Sequence, residues 1–253
     1  TERGARIMIV TTSNKLIGVV PVIQQDQGPG EVPANITNPD HSLTYTSGTA
    51  ATEFWVSFGA QTDISYLAIS GHNSALTNDG IIEVYNGATS VAGITISRNH
   101  NLMFTFDLQD FTDLWVRFAI TPNNQPTTVS FIAAGTYLVI PRGEQSGYSR
   151  QWLERQTTSQ TSTNLLSAPT GVTQKRMALK GNLSIPNQTR DFIETQWQTF
   201  IDFSFEQPFF IKEVDGEAQT TYICYNPKHK ITAHQLNRGL VNASVQFNSY
   251  NGL

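Results

Sequence analysis

Residues 114–120 read LWVRFAI, an unbroken alternation of apolar and mixed positions. Leu114, Val116, Phe118 and Ile120 share one face, and Trp115, Arg117 and Ala119 share the other. Successive side chains of an extended chain point to opposite sides, so this run is a strand with one face in a core. Similar short runs occur at 54–58, 64–70, 81–85, 91–96, 102–108, 128–133 and 136–140. Turn-forming Gly, Pro, Asn and Asp separate them. Many short strands at close spacing predict a sandwich or jelly roll. Composition agrees. Charged residues make up only 14%, and polarity comes from Thr, Asn, Gln and Ser, which suit strands and turns.

Charge and hydropathy exclude several functions. Net charge is −4 and no basic run stands out, so there is no surface to neutralise phosphates and no nucleic-acid partner is expected. No apolar run approaches the roughly 18 residues that cross a bilayer, so no membrane insertion is expected. Cys224, the single cysteine, reads as a small buried apolar residue. Nucleophile, zinc, phosphate-loop and dinucleotide motifs are all absent from the sequence. His229 and His234 stand five apart, a spacing that suits neither one helical face nor one strand face. The expectation is a non-enzyme with no catalytic residue, no metal and no cofactor.

The texture of the chain changes twice. Residues 21–50 are dense in Pro and Gly and read as a surface loop. Residues 141–175 are rich in Thr, Ser and Gln, with Trp152 and Leu153 as apolar exceptions. An apolar pair in a polar arm is explained if the arm docks on a neighbouring subunit. The second half restarts with RMALKGNLSI, a strand with Met177, Leu179, Gly181, Leu183 and Ile185 on one face. Residues 189–203 carry the only helical stripe, through Phe192, Ile193, Trp197, Phe200 and Ile201. Strands at 208–214, 220–225 and 240–250 follow. The expected organisation is a jelly roll over 1–145, a connector or arm over 146–175, and a small β domain with one helix over 176–253.

One stretch invites a chemical reading. The strand ISYLAIS ends in Gly71-His72-Asn73. A histidine and an asparagine at a strand end suit an active site, but they also suit a loop clamp, because both side chains hydrogen-bond backbone groups. The clamp is the favoured reading, with contact to a ligand second.

The same stretch carries a family likeness. FWVSFG, a polar turn and ISYLAISGHN resemble the discoidin, or galactose-binding-like, jelly roll. In that family a strand of the type W-x-x-x-D-L-G precedes one of the type I-x-x-V-x-I-x-G. Trp55 and Gly59 match, whereas Phe58 stands where Leu is usual and Ser57 where Asp is usual. LWVRFAI and TVSFIAAGTYLVIPRG resemble the closing strands, and the likeness covers about residues 35–142. It implies sugar binding through loops at one end, in some members with a structural calcium. On the matching loops stand His41, Tyr45, His72, Asn73 and Asn78.

The variant with G-H-N and P-R-G, and the strand–helix–strand pattern of the second half, look like structural proteins of bacteriophage tails, at the tail tip or baseplate. Some of those share the tail-tube fold. That resemblance implies assembly with copies of itself, as a ring of six or else three, and with neighbouring tail proteins. It also implies a place in the virion tail after synthesis in the host cytoplasm. The alternative it leaves open is a carbohydrate-binding module that reads a host surface glycan.

Overall fold

A computed structural model describes residues 8–24, 31–40, 43–48, 53–73, 80–96, 100–119, 126–140, 157–163, 169–176, 179–233 and 239–250. The fold is mainly β, with one α-helical segment and a short 3-10 turn (Pro33–Thr37) among the described residues. Its sheets remain open, and no closed barrel forms among the described residues.

The sandwich lies in the first half. Its outer sheet has the order β2 (Val22–Gln24), β4 (Glu53–Ser57), β9 (Leu114–Ala119), β6 (Gly80–Asn86) and β7 (Thr89–Ile96). The facing sheet has β11 (Phe131–Gly135), β5 (Gln61–Ser70) and β8 (Leu102–Phe111), and β3 (Tyr45–Thr46) pairs with β10 (Thr128–Val129). Between them, Phe54, Val56, Ile82, Val84, Val116 and Phe118 of the outer sheet meet Leu67, Ile69, Leu102, Phe104 and Ile132 of the facing one. Phe54 and Phe118 stack with centroids 4.4 Å apart. The alternation of LWVRFAI is therefore realised, with Leu114, Val116 and Phe118 inward.

A six-stranded sheet draws on both halves of the chain. Its order is β12 (Tyr137–Ile140), β1 (Met8–Thr11), β16 (Phe209–Lys212), β17 (Thr221–Ala233), β18 (Leu240–Tyr250) and β15 (Leu179–Thr189). β1 pairs with β12 on one side, Ile9 opposite Val139, and with β16 on the other, Ile9 opposite Lys212. Residues 12–136 thus leave and re-join this sheet through adjacent antiparallel strands. The crossing is tight. Thr12 N–H donates to Thr136 O at 2.8 Å, and a Cβ on Gly135 would lie 2.6 Å from Ser13 O.

Strict alternation then explains a stack of layers. In β5, Leu67 and Ile69 face the sandwich core while Tyr66 and Ala68 face the other way. That second face packs, with Met103, Phe131 and Ala133, on Ile9, Phe210 and Ile223 of the six-stranded sheet. The opposite face of that sheet carries Val10, Ile211, Cys224 and Val245, covered by Trp197 and Phe200. β5 lies between two cores, so its residues from Ile64 to Ser70 are all buried. A near-continuous apolar run is the sequence mark of a strand covered on both faces.

The helical segment runs through α1 (Arg190–Phe192), a π-helical stretch (Ile193–Trp197) and α2 (Gln198–Glu206). Thr189 caps it, its Oγ1 accepting from Phe192 N–H at 3.2 Å, and Asp191 lies in the first turn. The stripe expected from sequence is the buried one, with Trp197 and Phe200 fully enclosed. Part of the polar stretch read as a connector is paired: β13 (Thr157–Thr163) and β14 (Pro169–Arg176) form an antiparallel ribbon. Thr- and Ser-rich alternation without a large apolar face hid these strands. Trp152 and Leu153 lie outside the described residues.

Candidate functional site: the outer face of the five-stranded sheet

The residues of β4, β6 and β9 that do not enter the core form a second pattern. Register sets Trp55 opposite Arg117 and Arg117 opposite Glu83; one step on, Trp115 lies opposite Tyr85. The side chains meet across the strands. Trp55 is 5.1 Å from the Tyr85 ring and 6.2 Å from the Trp115 ring, at interplanar angles of 52° and 81°. The Arg117 guanidinium sits 5.5 Å from the Trp55 centroid, within cation–π range. All three rings are half-buried, as amphipathic aromatics are at recognition surfaces.

Arg117 is clamped from both sides. Its Nε donates to Glu53 Oε2 at 2.8 Å and its Nη1 to Glu83 Oε2 at 2.7 Å, and Nη2 lies 2.6 Å from Glu53 Oε2. Tyr85 donates its hydroxyl to Glu83 Oε2 at 3.3 Å. The hydrogen bond from Arg117 holds the Glu53 carboxyl below the usual carboxylate range, with desolvation opposing it. The same bonds push the Arg117 pKa up. Gly93, opposite Glu83, leaves that carboxylate uncovered; a Cβ there would lie 3.1 Å from Glu83 Cγ. Val22 and Ile81 extend the apolar surface at 61% and 39% exposure. Together these residues offer ring faces for apolar C–H surfaces and carboxylate oxygens for hydroxyl donors.

The loop residues singled out from sequence are placed differently. Tyr45 is fully buried in the sandwich core beside Phe54, 6.1 Å between centroids. His72 is buried, and its Nε2 donates to His100 O at 2.6 Å. Burial lowers its pKa to about 4. Asn73 ties down the neighbouring loop, donating to Pro126 O at 3.0 Å and accepting from Thr128 N–H at 2.8 Å. These contacts give His72 and Asn73 the geometry of a loop clamp. His41 and Asn78 lie outside the described residues. Among those described, no three His, Cys, Asp or Glu side chains come together as metal ligands would.

Trp55, Trp115, Tyr85 and Arg117 were not singled out from sequence as a site. The signal was nonetheless present. Alternation puts Trp115 and Arg117 on the face opposite the core, and two tryptophans at outward positions of neighbouring strands are costly to leave exposed without a use.

No known family model matches the chain, and no curated protein is similar to it in sequence. Several solved structures align with about half of this chain at low identity. Chitosan-binding module 1 of a chitosanase/glucanase from Paenibacillus sp. IK-5 aligns with TM-score 0.41 and 13% identity, over 49% of this chain and 99% of that one. The lectin binding domain of Lectinolysin complexed with Lewis b gives 0.39 and 15%, over 49% and 96%. A Streptococcus pneumoniae fucose binding module, SpX-3, gives 0.38 and 14%, over 50% and 99%.

Proposed function

We propose that this chain is a non-catalytic glycan-binding protein that engages sugar through the outer face of its five-stranded sheet. The observation that carries this reading is the cluster of Trp55, Trp115 and Tyr85 around an Arg117 held by two glutamates. A pyranose presents C–H groups on its faces and hydroxyls at its rim. Half-exposed rings take the first, and the outward oxygens of Glu53 and Glu83 take the second. Trp, Tyr and Arg are also the side chains that dominate binding energy when they cluster. Ring planes at 81° and 52° do not form a flat strip, so the face suits a single soluble chain or terminal sugar over a crystalline surface.

The test is calorimetry and tryptophan fluorescence with soluble galactan, mannan, xylan, dextran and chito-oligosaccharides. Binding to one or more, weakened about tenfold or more by Trp55→Ala, supports the reading. A folded protein that binds none of these and no acidic polysaccharide defeats it.

A second reading concerns the setting of that face. The sandwich is carried between β1 and β12 of a six-stranded sheet with a helix on one side, and β13 and β14 form a separate ribbon. On the bacteriophage-tail resemblance, the sheet and ribbon would serve assembly with other copies and with neighbouring tail proteins, and the sandwich would meet the host surface. On that reading the protein resides in the virion tail. Native mass spectrometry of the purified protein separates the cases: rings of six or three support it, and a monomer at all concentrations opposes it.

A further inference from the structure

We infer that the aromatic face selects uncharged saccharides and rejects those bearing carboxylate or sulfate, because its one cation is already occupied by the protein's own carboxylates. This deepens the glycan-binding reading and rests on it. Arginine is the usual recogniser of an acidic sugar, since its planar fork meets an anion through two parallel N–H bonds. Here Nε and Nη2 both turn to Glu53 and Nη1 turns to Glu83. Trp55 lies against the guanidinium. Three of the five guanidinium N–H donors are thus committed to the protein's own carboxylates, among them the Nε–Nη2 pair that would form a fork on an anion.

Charge argues the same way. Arg117 is the single basic residue in the five strands of this sheet, and Glu53 and Glu83 outnumber it. Asp113, which accepts from Ser57 Oγ at 2.8 Å, adds a further carboxylate next to Trp115. An approaching uronate or sulfate therefore meets net negative charge on a low, half-apolar surface, where like charges are disfavoured. A neutral ring meets carboxylate oxygens that accept hydroxyl donors instead. The ion trio acts as a filter: it keeps the rings in place and fills the seat that an anionic ligand needs.

The experiment compares soluble neutral polysaccharides (galactan, mannan, xylan, dextran) with acidic ones (polygalacturonate, alginate, hyaluronan, heparin) at low salt. It uses the full chain and the Glu53→Gln/Glu83→Gln double variant. The expected result is binding of at least one neutral polymer by the native protein, with acidic polymers at least tenfold weaker. The double variant frees the guanidinium and gains affinity for acidic polymers, while a Trp55→Ala variant loses neutral binding. Acidic polymers bound as well as or better than neutral ones by the native face, with Trp55→Ala abolishing it, would overturn the charge filter and leave glycan binding standing. Failure to bind either class would overturn both. A double variant that folds, by circular dichroism and melting, yet gains nothing for acidic polymers would also overturn the filter.

Discussion

At the scale of single residues, polarity is spent on orientation. Glu53 is held in its charged form by the Arg117 hydrogen bond, so its pKa lies below its ordinary value of 4.5. A depressed carboxylate keeps its contribution above the unfolded pKa and loses it as pH falls through the folded one. Glycan binding, on the reading proposed above, should therefore persist at pH 4.5 and weaken only as pH falls further, through the lowered Glu53 pKa, which a binding curve against pH would reveal. His72 behaves in the opposite chemical sense with the same direction. Its folded pKa of about 4 lies below the ordinary 6.5, so the unfolded chain takes up a proton first. Stability is complete above pH 6.5 and declines as pH falls towards 4, by on the order of 2–3 kcal/mol. In melts across that range, His72→Gln should flatten the dependence. An unchanged slope would remove His72 as its source.

Why some of these residues were legible follows from what they do. Gly71-His72-Asn73 marks itself in the sequence because a strand end needs residues that bond backbone. The use of His72 on His100 O was not readable, since residues 28 apart meet only through the turn of the sheet. Tyr45 sits in a stretch dense with turn signals, and nothing local tells that its ring enters the core.

At the scale of elements, three residues other than glycine take left-handed backbone among the described residues. Asp63, Asn187 and Asn226 have φ of 55°, 57° and 51°. Each falls where a strand slips register: Gln61/Ile64 in β5, Ile185/Gln188 in β15 and Tyr225/Lys228 in β17. These three bulges each place one residue in left-handed backbone, and Asn and Asp are the non-glycine residues that tolerate it best. Asn226→Val should cost about 1–2 kcal/mol by strain, whereas Asn226→Gly should be close to neutral in a denaturant titration. The helical segment rests on Trp197, which lies 4.7 Å from the Phe200 ring and is fully buried. Trp197→Ala should cost about 3–5 kcal/mol, and a loss below about 1 kcal/mol in denaturant unfolding would contradict this packing. The helix was legible because its stripe repeats over several turns. The ribbon of β13 and β14 was not, since small hydroxyl side chains give no apolar period to read.

At the scale of the whole molecule, four layers share three cores, and the middle one joins strands from both ends of the chain. Ile9, Phe210 and Ile223 on one sheet press against Tyr66, Met103 and Phe131 on the next, with Phe131 and Phe210 stacked at 6.1 Å. Lys212, almost fully enclosed, reaches across to Thr105 Oγ1 at 2.9 Å and pairs with Asp215 at 3.5 Å. A fragment covering 1–145 would expose one face of β5, β8 and β11 and strand β1 and β12 without β16. Such a fragment should aggregate or melt well below the full chain in a thermal scan. A melt equal to that of the full chain would make the middle core dispensable. Sequence reading found the sandwich, but pairing across about 200 residues leaves no local trace.

The neighbouring exit and return of residues 12–136, sealed by Thr12, Ser13, Thr136 and Gly135, carry one more consequence. A segment whose two ends meet side by side can be lifted out and another set in its place without moving the frame that holds it. The frame constrains only the surface it touches, through Tyr66, Ala68, Met103, Phe131 and Ala133. Trp55 and Arg117 lie on the far side of the sandwich, one sheet and one core away from that seam. Recognition in such a molecule is free to drift, or to be traded for another specificity, while the scaffold beneath stays as it is.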